Sequence, residues 1–544
     1  MSYQQTKIFK FKKGIDLGSL AAENDKFLNT AFFDTGDVDA LIDITSPKRI
    51  ILGRTGTGKT AILEELKKRN GHIIKIDPEA LSLQYLSNST IIKYLHQLGV
   101  HLELFYKLLW KHVFAVELIK CHYKLDDEQS QKKFLSSIFS RFGNNKKKKK
   151  AIEYLVEWSK SFWEDTEYRV KEITDSLEKN VKDEVGVDFK YFKAHGSEIS
   201  SISQEQKTEL IHKAQNAVSK IQIIELNELI QIMSSDIFND PQKKYYILID
   251  DLDKDWVDRT IVYDLIKSLL EVIYDFSSQI KNVKIVIALR DNILERIIRS
   301  DTRRGPQREK YESLYLKLYW TEEQLIQLFE LRLKQILVGA YESIEPTYKD
   351  ILPSKSKNSK NDGMRYILER TLLRPRDLIH YFNICIESSV GKTKISLENI
   401  RSAELKYSKD RLDSLEDEWK ENYFGIGTVF KMFKGFNRSF LINEIEDSFI
   451  YQLLQMEMDH PKAAWLRRFL EEFVEQGESS LKTIKFQLIS ILYQVGFVGI
   501  KPSPQIGLKY SFEPSGEIVQ EDLTEKTVIH LHPAFHRALS IKPN

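Results

Sequence analysis

The sequence predicts an α/β fold in which a parallel β-sheet forms the core and helices make up most of the chain. Three observations carry this prediction. Short apolar runs typical of buried parallel strands alternate with helical patterns. Long segments repeat apolar residues three and four positions apart. The 544 residues contain only 23 Gly and 13 Pro, about half of the usual combined share of roughly 12%.

Length and composition exclude several classes of protein. At about 150 residues per domain, 544 residues predict three or four domains. The 81 basic and 79 acidic residues leave a formal net charge of +2, so the overall charge favours neither nucleic acid nor a membrane surface as a partner. Two cysteines are too few for a disulfide framework or a zinc site built from Cys. Without an apolar leader or a run of about 18 apolar residues, we expect a cytoplasmic protein that does not enter a membrane.

The first elements belong to the predicted α/β core. Residues 1–45 mix turn formers with apolar residues, and we expect them to pack on this core. Residues 48–53 and 71–77 have the pattern of short buried strands, and residues 61–70 that of an amphipathic helix between them.

A helical insertion is predicted to interrupt the core. Its segments are rich in polar residues and nearly devoid of Gly and Pro, and residues 95–120 are predicted to form one helix. The basic run from Lys146 to Lys150 follows Asn145. It is interpreted either as a solvated loop or as a contact for an acidic partner or nucleic acid.

The core resumes with three further strand patterns. Residues 245–251 contain five apolar residues followed by two acids, and residues 284–291 form a buried pattern that ends in Arg-Asp. Residues 314–320 alternate as a half-buried strand does. Thr321 is predicted to cap the helix that follows.

The C-terminal region predicts a small winged-helix-like module. Residues 481–500 are expected to form a helix closed by Gly496 or Gly499. Residues 508–512 and 527–533 are expected to pair as a β-ribbon across the turn-rich segment between them.

A phosphate-binding pattern lies between the first strand and the first helix. It matches G-x-x-x-x-G-K-[ST], known as Walker A, and its residues, with the next one, are Gly53, Arg54, Thr55, Gly56, Thr57, Gly58, Lys59, Thr60 and Ala61. The glycines let backbone amides approach phosphate oxygens, and the helix that follows favours anions at its N-terminus. Lys59 is expected to reach the β- and γ-phosphates, and the Thr60 hydroxyl to ligate Mg²⁺. The alternative is a Gly-rich turn that holds no ligand.

Two acids follow the third strand pattern, as in the Walker B element of nucleotide hydrolases. Asp250 is expected to hold Mg²⁺, and Asp251 to orient or deprotonate the attacking water. The alternative is a strand that ends in a solvated acidic turn.

Arginines are candidate sensors of the γ-phosphate. Arg290 ends the next strand, and its alternative role is an ordinary pair with Asp291. Arg374 and Arg376 begin a helix, where positive charge opposes the helix dipole, so we expect them to have an anionic partner. That partner is either a phosphate or Asp377 with nearby acids.

A basic cluster follows Arg290. It could supply an arginine finger to a neighbouring subunit or form only a basic surface, and both interpretations stay open. Its members are Arg296, Arg299, Arg303, Arg304 and Arg308.

These residues together resemble the AAA+/STAND branch of P-loop NTPases. Within that branch, the chain is similar to bacterial ATPases that carry a DDLD-x-x-W element, here Asp250 to Asp253 with Trp256, and an RPRDLI element, here Arg374 to Ile379. The resemblance implies ATP and Mg²⁺ as cofactors, Arg290 as the first sensor and Arg376 as the second. It also implies a role in bacterial antiviral defence or stress response, as a homo-oligomer or together with a separate effector protein.

The resulting prediction is a Mg²⁺-dependent ATPase that acts as a switch or assembly scaffold. The alternatives are an ATP-dependent nucleic-acid-binding regulator or loader that uses the winged-helix-like module, and a structural protein that binds nucleotide without hydrolysis. The predicted domains are an N-terminal segment (1–45), a P-loop core (46–90 and 237–320), a helical insertion (91–236), a helical lid (321–410) and a winged-helix-like domain (411–544).

Overall fold

The structure is a computed structural model of the 544-residue chain. It describes residues 9–69, 71–78, 90–125, 129–130, 133–134, 136–137, 140, 145–151, 175, 179, 181–183, 204–219, 223–252, 254, 259–300, 311–337, 346–354, 362–459, 463–503, 505–514, 516, 518 and 522–543. The chain divides into two compact units. The sheet unit comprises Gly36–Leu52 and Ile62–Leu316, and the loop unit comprises Met1–Thr35, Gly53–Ala61 and Lys317–Asn544.

A five-stranded sheet is the centre of the sheet unit. Its strands are β1 (Ile50–Leu52), β2 (Ile73–Ile76), β3 (Tyr245–Ile249), β4 (Val283–Leu289) and β5 (Tyr315–Lys317), in the order β2-β3-β4-β1-β5. The pairs β1–β4, β2–β3 and β3–β4 are parallel. Every residue of β3 and β4 is buried, as their apolar runs predict. The predicted α/β class with a parallel sheet is therefore confirmed, and the described part of the chain is dominated by helix.

The strand register aligns the carboxyl ends of three neighbouring strands. Leu52, the last residue of β1, pairs with Leu289 of β4, and Ile249, the last residue of β3, pairs with Ile287. Because the strands are parallel, the segments that follow β1, β3 and β4 all start from the same edge of the sheet.

Most helices of the sheet unit share one continuous apolar core with the sheet. They are α1 (Asp37–Ile42), α2 (Lys59–Arg69), α3 (Thr90–Leu98), α4 (Glu103–Tyr123), α5 (Gln204–Ser219), α6 (Ile223–Ile232), α7 (Arg259–Gln279) and α8 (Asp291–Ser300), and a π-helical turn spans Met233–Ile237. The fully buried Trp110 of α4 donates its indole N–H to the Leu265 carbonyl of α7 at 2.9 Å. The described helices of the predicted insertion therefore share their core with the sheet.

Two predictions in the insertion are wrong in detail. Residues 95–120 do not form one helix, because Gly99 adopts a φ of +79° and separates α3 from α4. The Lys146 to Lys150 run is helical and not a loop, since Asn145 accepts the backbone N–H of Lys147 and Lys149 at its start.

The described α-helices of the loop unit lie between residues 322 and 494. They are α9 (Glu322–Leu337), α10 (Tyr348–Ile351), α11 (Gly363–Leu368), α12 (Pro375–Glu387), α13 (Leu397–Trp419), α14 (Ile426–Met432), α15 (Asp447–Asp459), α16 (Ala464–Gln476) and α17 (Leu481–Gln494). Thr321 caps α9 as predicted, because its hydroxyl accepts the Gln324 N–H at 3.2 Å.

The N-terminal residues do not follow the prediction that 1–45 pack as one segment on the core. Phe11 and Leu17 are buried in the apolar cluster of α9 to α13, which includes Phe329 and Leu378. Residues 37–46 instead contact the sheet, where the Lys284 ammonium of β4 donates to main-chain carbonyls of this segment. The two parts of this stretch thus belong to different units.

A three-stranded antiparallel sheet lies near the C-terminus. Its strands are β6 (Ser439–Leu441), β7 (Val498–Lys501) and β8 (Val528–Leu531), in the order β6-β8-β7. The predicted ribbon is wrong in its pairing, because β8 pairs with β7 and β6, while residues 508–512 contribute a single bridge from Lys509 to Ile500. The helix predicted over 481–500 ends at Gln494, before Gly496 (φ +82°).

None of the helices among the described residues combines the length and the apolar character that crossing a membrane requires.

Candidate functional site

The loop from residue 53 to residue 58 leaves β1 and enters α2, and two of its glycines are required by its shape. Gly56 and Gly58 have φ angles of +83° and +100°, which L-residues with side chains rarely adopt. A Cβ atom at Gly56 would lie 2.7 Å from the Arg376 Cβ, so the start of α12 approaches this loop closely. A Cβ atom at Gly58 would meet no atom within 4 Å, so there is open space beside it.

Each carbonyl group from residue 53 to residue 57 accepts a hydrogen bond from a protein group. The donors are Lys59 Nζ to Gly53 O (2.8 Å) and to Arg54 O (3.0 Å), Arg374 Nη1 to Thr55 O (2.7 Å), Arg376 N to Gly56 O (3.3 Å) and Trp320 Nε1 to Thr57 O (2.9 Å). The Thr57 hydroxyl also donates to Arg54 O at 2.9 Å. The loop backbone is thus fixed on its carbonyl side.

This bonding sets the direction of the amide groups. In a trans peptide, the carbonyl of one residue and the N–H of the next point in opposite directions. Since the Thr55 and Thr57 carbonyls point to Arg374 and Trp320, the N–H groups of Gly56 and Gly58 point away from these donors. Backbone amides of a turn can bind an anion where they converge.

Arg374 is buried beneath the loop and is bound by carboxylates. It is 1% exposed, and its guanidinium donates to Asp377 at 3.3 Å and to Glu418 at 3.0 Å. Arg374 therefore has nearby acids as its anionic partners, which is one of the two alternatives considered for this pair of arginines. Its contact with the loop is the hydrogen bond to the Thr55 carbonyl.

Arg376 meets the loop through its backbone and the stem of its side chain. Its N–H donates to Gly56 O, and its Nε donates to the Leu20 carbonyl at 3.1 Å. Pro375 occupies the first turn of α12, where its missing N–H costs nothing. The loop unit thus brings Arg374 and Arg376 together with the glycine-rich loop.

Arg54, in the variable part of the pattern, directs its side chain into the protein. It is 8% exposed, its Nη2 donates to the Val495 carbonyl at 2.6 Å, and its Nε lies 3.5 Å from Glu418 Oε1. Glu418 also accepts the Thr55 N–H at 3.2 Å. The Arg54 side chain is therefore bound to residues of the C-terminal part of the loop unit.

The charges of this cluster hold each other in the ionised state. Burial alone would raise the pKa of Glu418, but the nearby Arg54 and Arg374 guanidiniums lower it to about 2. The pKa of Asp377 is likewise well below its usual range, because Arg374 and Arg411 outweigh the effect of burial. Both carboxylates therefore stay ionised at neutral pH.

In the sheet unit, the two acids predicted for Mg²⁺ and water follow β3. Asp250 Oδ1 accepts the Asp251 N–H at 2.9 Å, and Asp251 forms an ion pair with Lys254 at 2.8 Å. Asp251 has a φ of +58°, in the left-handed region, which non-glycine residues occupy chiefly at tight turns and functional sites. Asp253 and Trp256 of the DDLD-x-x-W element lie outside the described residues.

Arg290 follows β4 and precedes α8. Its carbonyl accepts the N–H groups of Ile293 and Leu294, which places it at the start of that helix. In the basic cluster, the Arg296 guanidinium lies 4.3 Å from the centre of the Tyr263 ring, a cation–π contact. The other members of this cluster fall outside the residues, or the side chains, that the structure describes.

Sequence reasoning missed the residues that support the loop from a distance in the chain. Glu418 and Val495 lie 364 and 441 residues from Arg54, and no spacing rule connects them. The sequence does contain one signal for Glu418. This acid lies on the buried face of the amphipathic helix α13, together with Leu415 and Trp419, and acids are rarely buried without a partner.

Comparison with known proteins gives one family match and one distant relative. Residues 323–416 match the FunZ-associated C-terminal helical domain, a range that runs from the start of α9 nearly to the end of α13. The chain is also similar to the "Putative transposon gamma-delta 80.3 kDa protein" of Escherichia coli (strain K12). The two are 25% identical over 554 aligned positions that span 98% of this chain and 68% of the relative.

Proposed function

We propose that this protein binds ATP with Mg²⁺ and hydrolyses it, as a P-loop NTPase that works as a switch or assembly ATPase. The observation that carries the proposal is the loop from 53 to 58, because protein donors bind its carbonyls while the Gly56 and Gly58 amides point away from them. The loop also precedes a helix N-terminus at Lys59, where the dipole favours phosphate.

The proposed roles follow from residue chemistry. Gly53 to Ala61 hold the phosphates through backbone amides, and Lys59 supplies a positive charge to the β- and γ-phosphates. When bound, Mg²⁺ would supply positive charge that offsets the negative charge of the phosphates. Thr60 and Asp250 are its proposed ligands, and a hydroxyl with one carboxylate and water suits this ion, which keeps several waters.

The remaining roles concern the attacking water and the γ-phosphate. Asp251 is the proposed base, and Arg290 and Arg376 are the proposed sensors. The common edge at which β1, β3 and β4 end supports Asp250, Asp251 and Arg290 as one set, since ligands of open α/β sheets bind outside the carboxyl ends of strands.

Mg²⁺-dependent phosphate release from ATP tests the proposal. We expect Lys59→Ala to reduce turnover at saturating ATP by at least about 100-fold, because the charge on the phosphates is lost. Lys68→Ala is the matched control: it lies on the same helix and pairs with Glu65 at the surface, so its turnover should equal that of the wild type. Unchanged turnover in Lys59→Ala would refute the site.

The biological part of the proposal is a role in bacterial antiviral defence or stress response with a separate effector, and it rests on the family resemblance. The mass of the purified protein, measured with ATP and with ADP, alone and beside the product of the neighbouring gene, tests it. Nucleotide-dependent assembly with itself or with that product is the expected result. A monomer under all these conditions would contradict it.

A second candidate is an ATP-dependent nucleic-acid regulator or loader, which the C-terminal topology favours. The order α14, β6, α15, α16, α17, β7, β8, with β8 between the other two strands, is similar to a winged helix. Lys482 and Lys485 on α17 pair with Glu525 and Asp447, which lowers the net charge of that helix surface.

Binding of the full chain to a duplex oligonucleotide at several salt concentrations tests this candidate. An affinity that falls steeply with salt and weakens in Lys482→Glu, but not in Lys213→Glu, which changes an exposed lysine of the sheet unit, would support it. No binding at low salt would exclude it.

A further inference from the structure

The loop unit buries five charged side chains in one network that touches the phosphate-binding pattern. Arg374 pairs with Asp377 and Glu418, Arg411 pairs with Asp377, and Arg54 pairs with Glu418. All five are at most 8% exposed. Three guanidiniums against two carboxylates leave the network with a net positive charge, and every carboxylate in it is shared between two arginines.

This network binds both the backbone N–H and the backbone carbonyl of Thr55. The Thr55 N–H donates to Glu418 Oε1 at 3.2 Å, and the Thr55 carbonyl accepts from Arg374 Nη1 at 2.7 Å. Glu418 is therefore connected to the loop directly and also through Arg374, which it binds at 3.0 Å. A shift of the Glu418 carboxylate would move the two peptide groups that lead into Gly56.

Arg54 extends the network from the loop to the C-terminal module. Its Nη2 donates to the Val495 carbonyl, at the end of α17, and its guanidinium lies about 6 Å from the ring centres of Trp419 and Phe512. A Cβ atom at Gly496 would lie 2.5 Å from the Arg54 Nη1. Because Gly496 also has a φ of +82°, a side chain at this position would be strained and would displace the Arg54 guanidinium.

The network also compensates for backbone strain. Leu373 has a φ of +46°, in the left-handed region that is unfavourable for an L-residue with a side chain. On either side of it, the Leu372 N–H donates to Asp377 Oδ2 at 3.0 Å, and Arg374 is bound by two acids. The start of α12, which contacts Gly56, is thus held in a strained conformation by the same charges.

We propose that Glu418 and Arg54 are positioning residues for the phosphate-binding loop and make its shape depend on the C-terminal module. Neither side chain touches the ligand: Glu418 fixes the Thr55 peptide groups, and Arg54 ties the loop to the end of α17. The proposal rests on the proposed function, and it assigns to Glu418 a role in nucleotide affinity.

Glu418→Gln tests this role, with Glu457→Gln as a matched control. Glu457 is also a buried acid that pairs with an arginine, Arg467, and accepts a backbone N–H, that of Ala463, but both of these partners lie outside the loop. Binding of a fluorescent ATP analogue with Mg²⁺ should weaken about tenfold or more in Glu418→Gln and less than twofold in Glu457→Gln. Equal effects in both variants, or none in Glu418→Gln, would overturn the proposal.

Hydrogen exchange of the loop amides gives a readout that needs no nucleotide. Exchange in peptides covering residues 53–60 should be faster in Glu418→Gln than in wild type and unchanged in Glu457→Gln. If the wild type binds no ATP but this difference appears, the proposed function fails while the positioning role stands. If the wild type binds ATP and the exchange does not differ, the positioning role fails.

Arg54→Lys keeps the experiment informative should Glu418→Gln not fold. Lysine retains the positive charge, but its single ammonium group lacks the planar, forked donors with which the guanidinium reaches Glu418 and the Val495 carbonyl at the same time. We expect faster exchange in residues 53–60 and weaker binding of the analogue, with a thermal midpoint near that of the wild type. Wild-type exchange and affinity in a folded Arg54→Lys would refute the role of Arg54.

Discussion

Both units bury positively charged side chains that bind backbone groups, but the partners of these charges differ between the units. In the loop unit, buried arginines form ion pairs with Asp377 and Glu418. In the sheet unit, the fully buried Lys284 ammonium donates to the carbonyls of Ala40, Asp43 and Ser46.

This difference decides how each region responds to pH. The arginines lower the pKa of Glu418 to about 2, whereas burial, helped by Arg49 and opposed by Asp43, lowers the pKa of Lys284 to about 7. Paired buried charges thus keep their ionisation across the physiological range. A buried charge held mainly by neutral carbonyls loses its proton within that range.

The largest effect should come from breaking the paired network at its centre. Asp377→Ala leaves Arg374 and Arg411 buried without the carboxylate they share, so we expect a loss of about 3–5 kcal/mol in the free energy of unfolding of the loop unit. Urea denaturation measures it. Asp410→Ala, which removes an exposed partner of His380, is the control and should cost about 1 kcal/mol or less. Similar losses in both variants would contradict the comparison.

A smaller, pH-dependent effect is expected for the sheet unit. Because the pKa of Lys284 is lower in the folded chain than in the unfolded chain, the unfolded state binds more protons between pH 7 and 10. The stability contributed by this group should therefore rise with pH over that window, by about 1–3 kcal/mol. Lys284→Met should lack this rise in denaturation curves taken at several pH values. Parallel pH profiles of wild type and variant would contradict the assignment.

The smallest effect on stability is expected for a partly exposed ion pair of the sheet unit. Lys148 and Asp236 lie 3.0 Å apart, and both side chains are about one third exposed. Lys148→Ala should change the free energy of unfolding by about 0.5 kcal/mol or less, because water and salt screen the pair. A loss as large as that of Asp377→Ala would show that burial is not what distinguishes the loop-unit network.

The local features of the fold were predictable from sequence, and the long-range ones were not. The apolar runs of β3 and β4 identify buried parallel strands, and the spacing of the glycines identifies a loop in which Gly56 and Gly58 have positive φ angles. Such patterns result from short-range sterics and periodic burial. They predict the loop and its helix within a few residues.

The support of the loop depends on partners far away in the chain. Glu418 looks like any acid on an amphipathic helix, and Phe11 like any apolar residue in a loop-rich segment, until packing brings them to their clusters. The pairing of β8 with β6 has the same origin, because β6 lies almost 90 residues earlier in sequence. Periodicity contains no information about such pairings.

The bond from Trp320 to the loop has a spectroscopic consequence. Its indole N–H donates to the Thr57 carbonyl at 2.9 Å, and its ring lies 5.9 Å from Phe33. Indole emission responds to hydrogen bonding and to the polarity around the ring, so one of the chain's seven tryptophans is a native fluorophore attached to the glycine-rich loop. The difference between the emission spectra of the wild type and Trp320→Phe isolates this signal, and it follows loop movement without any label.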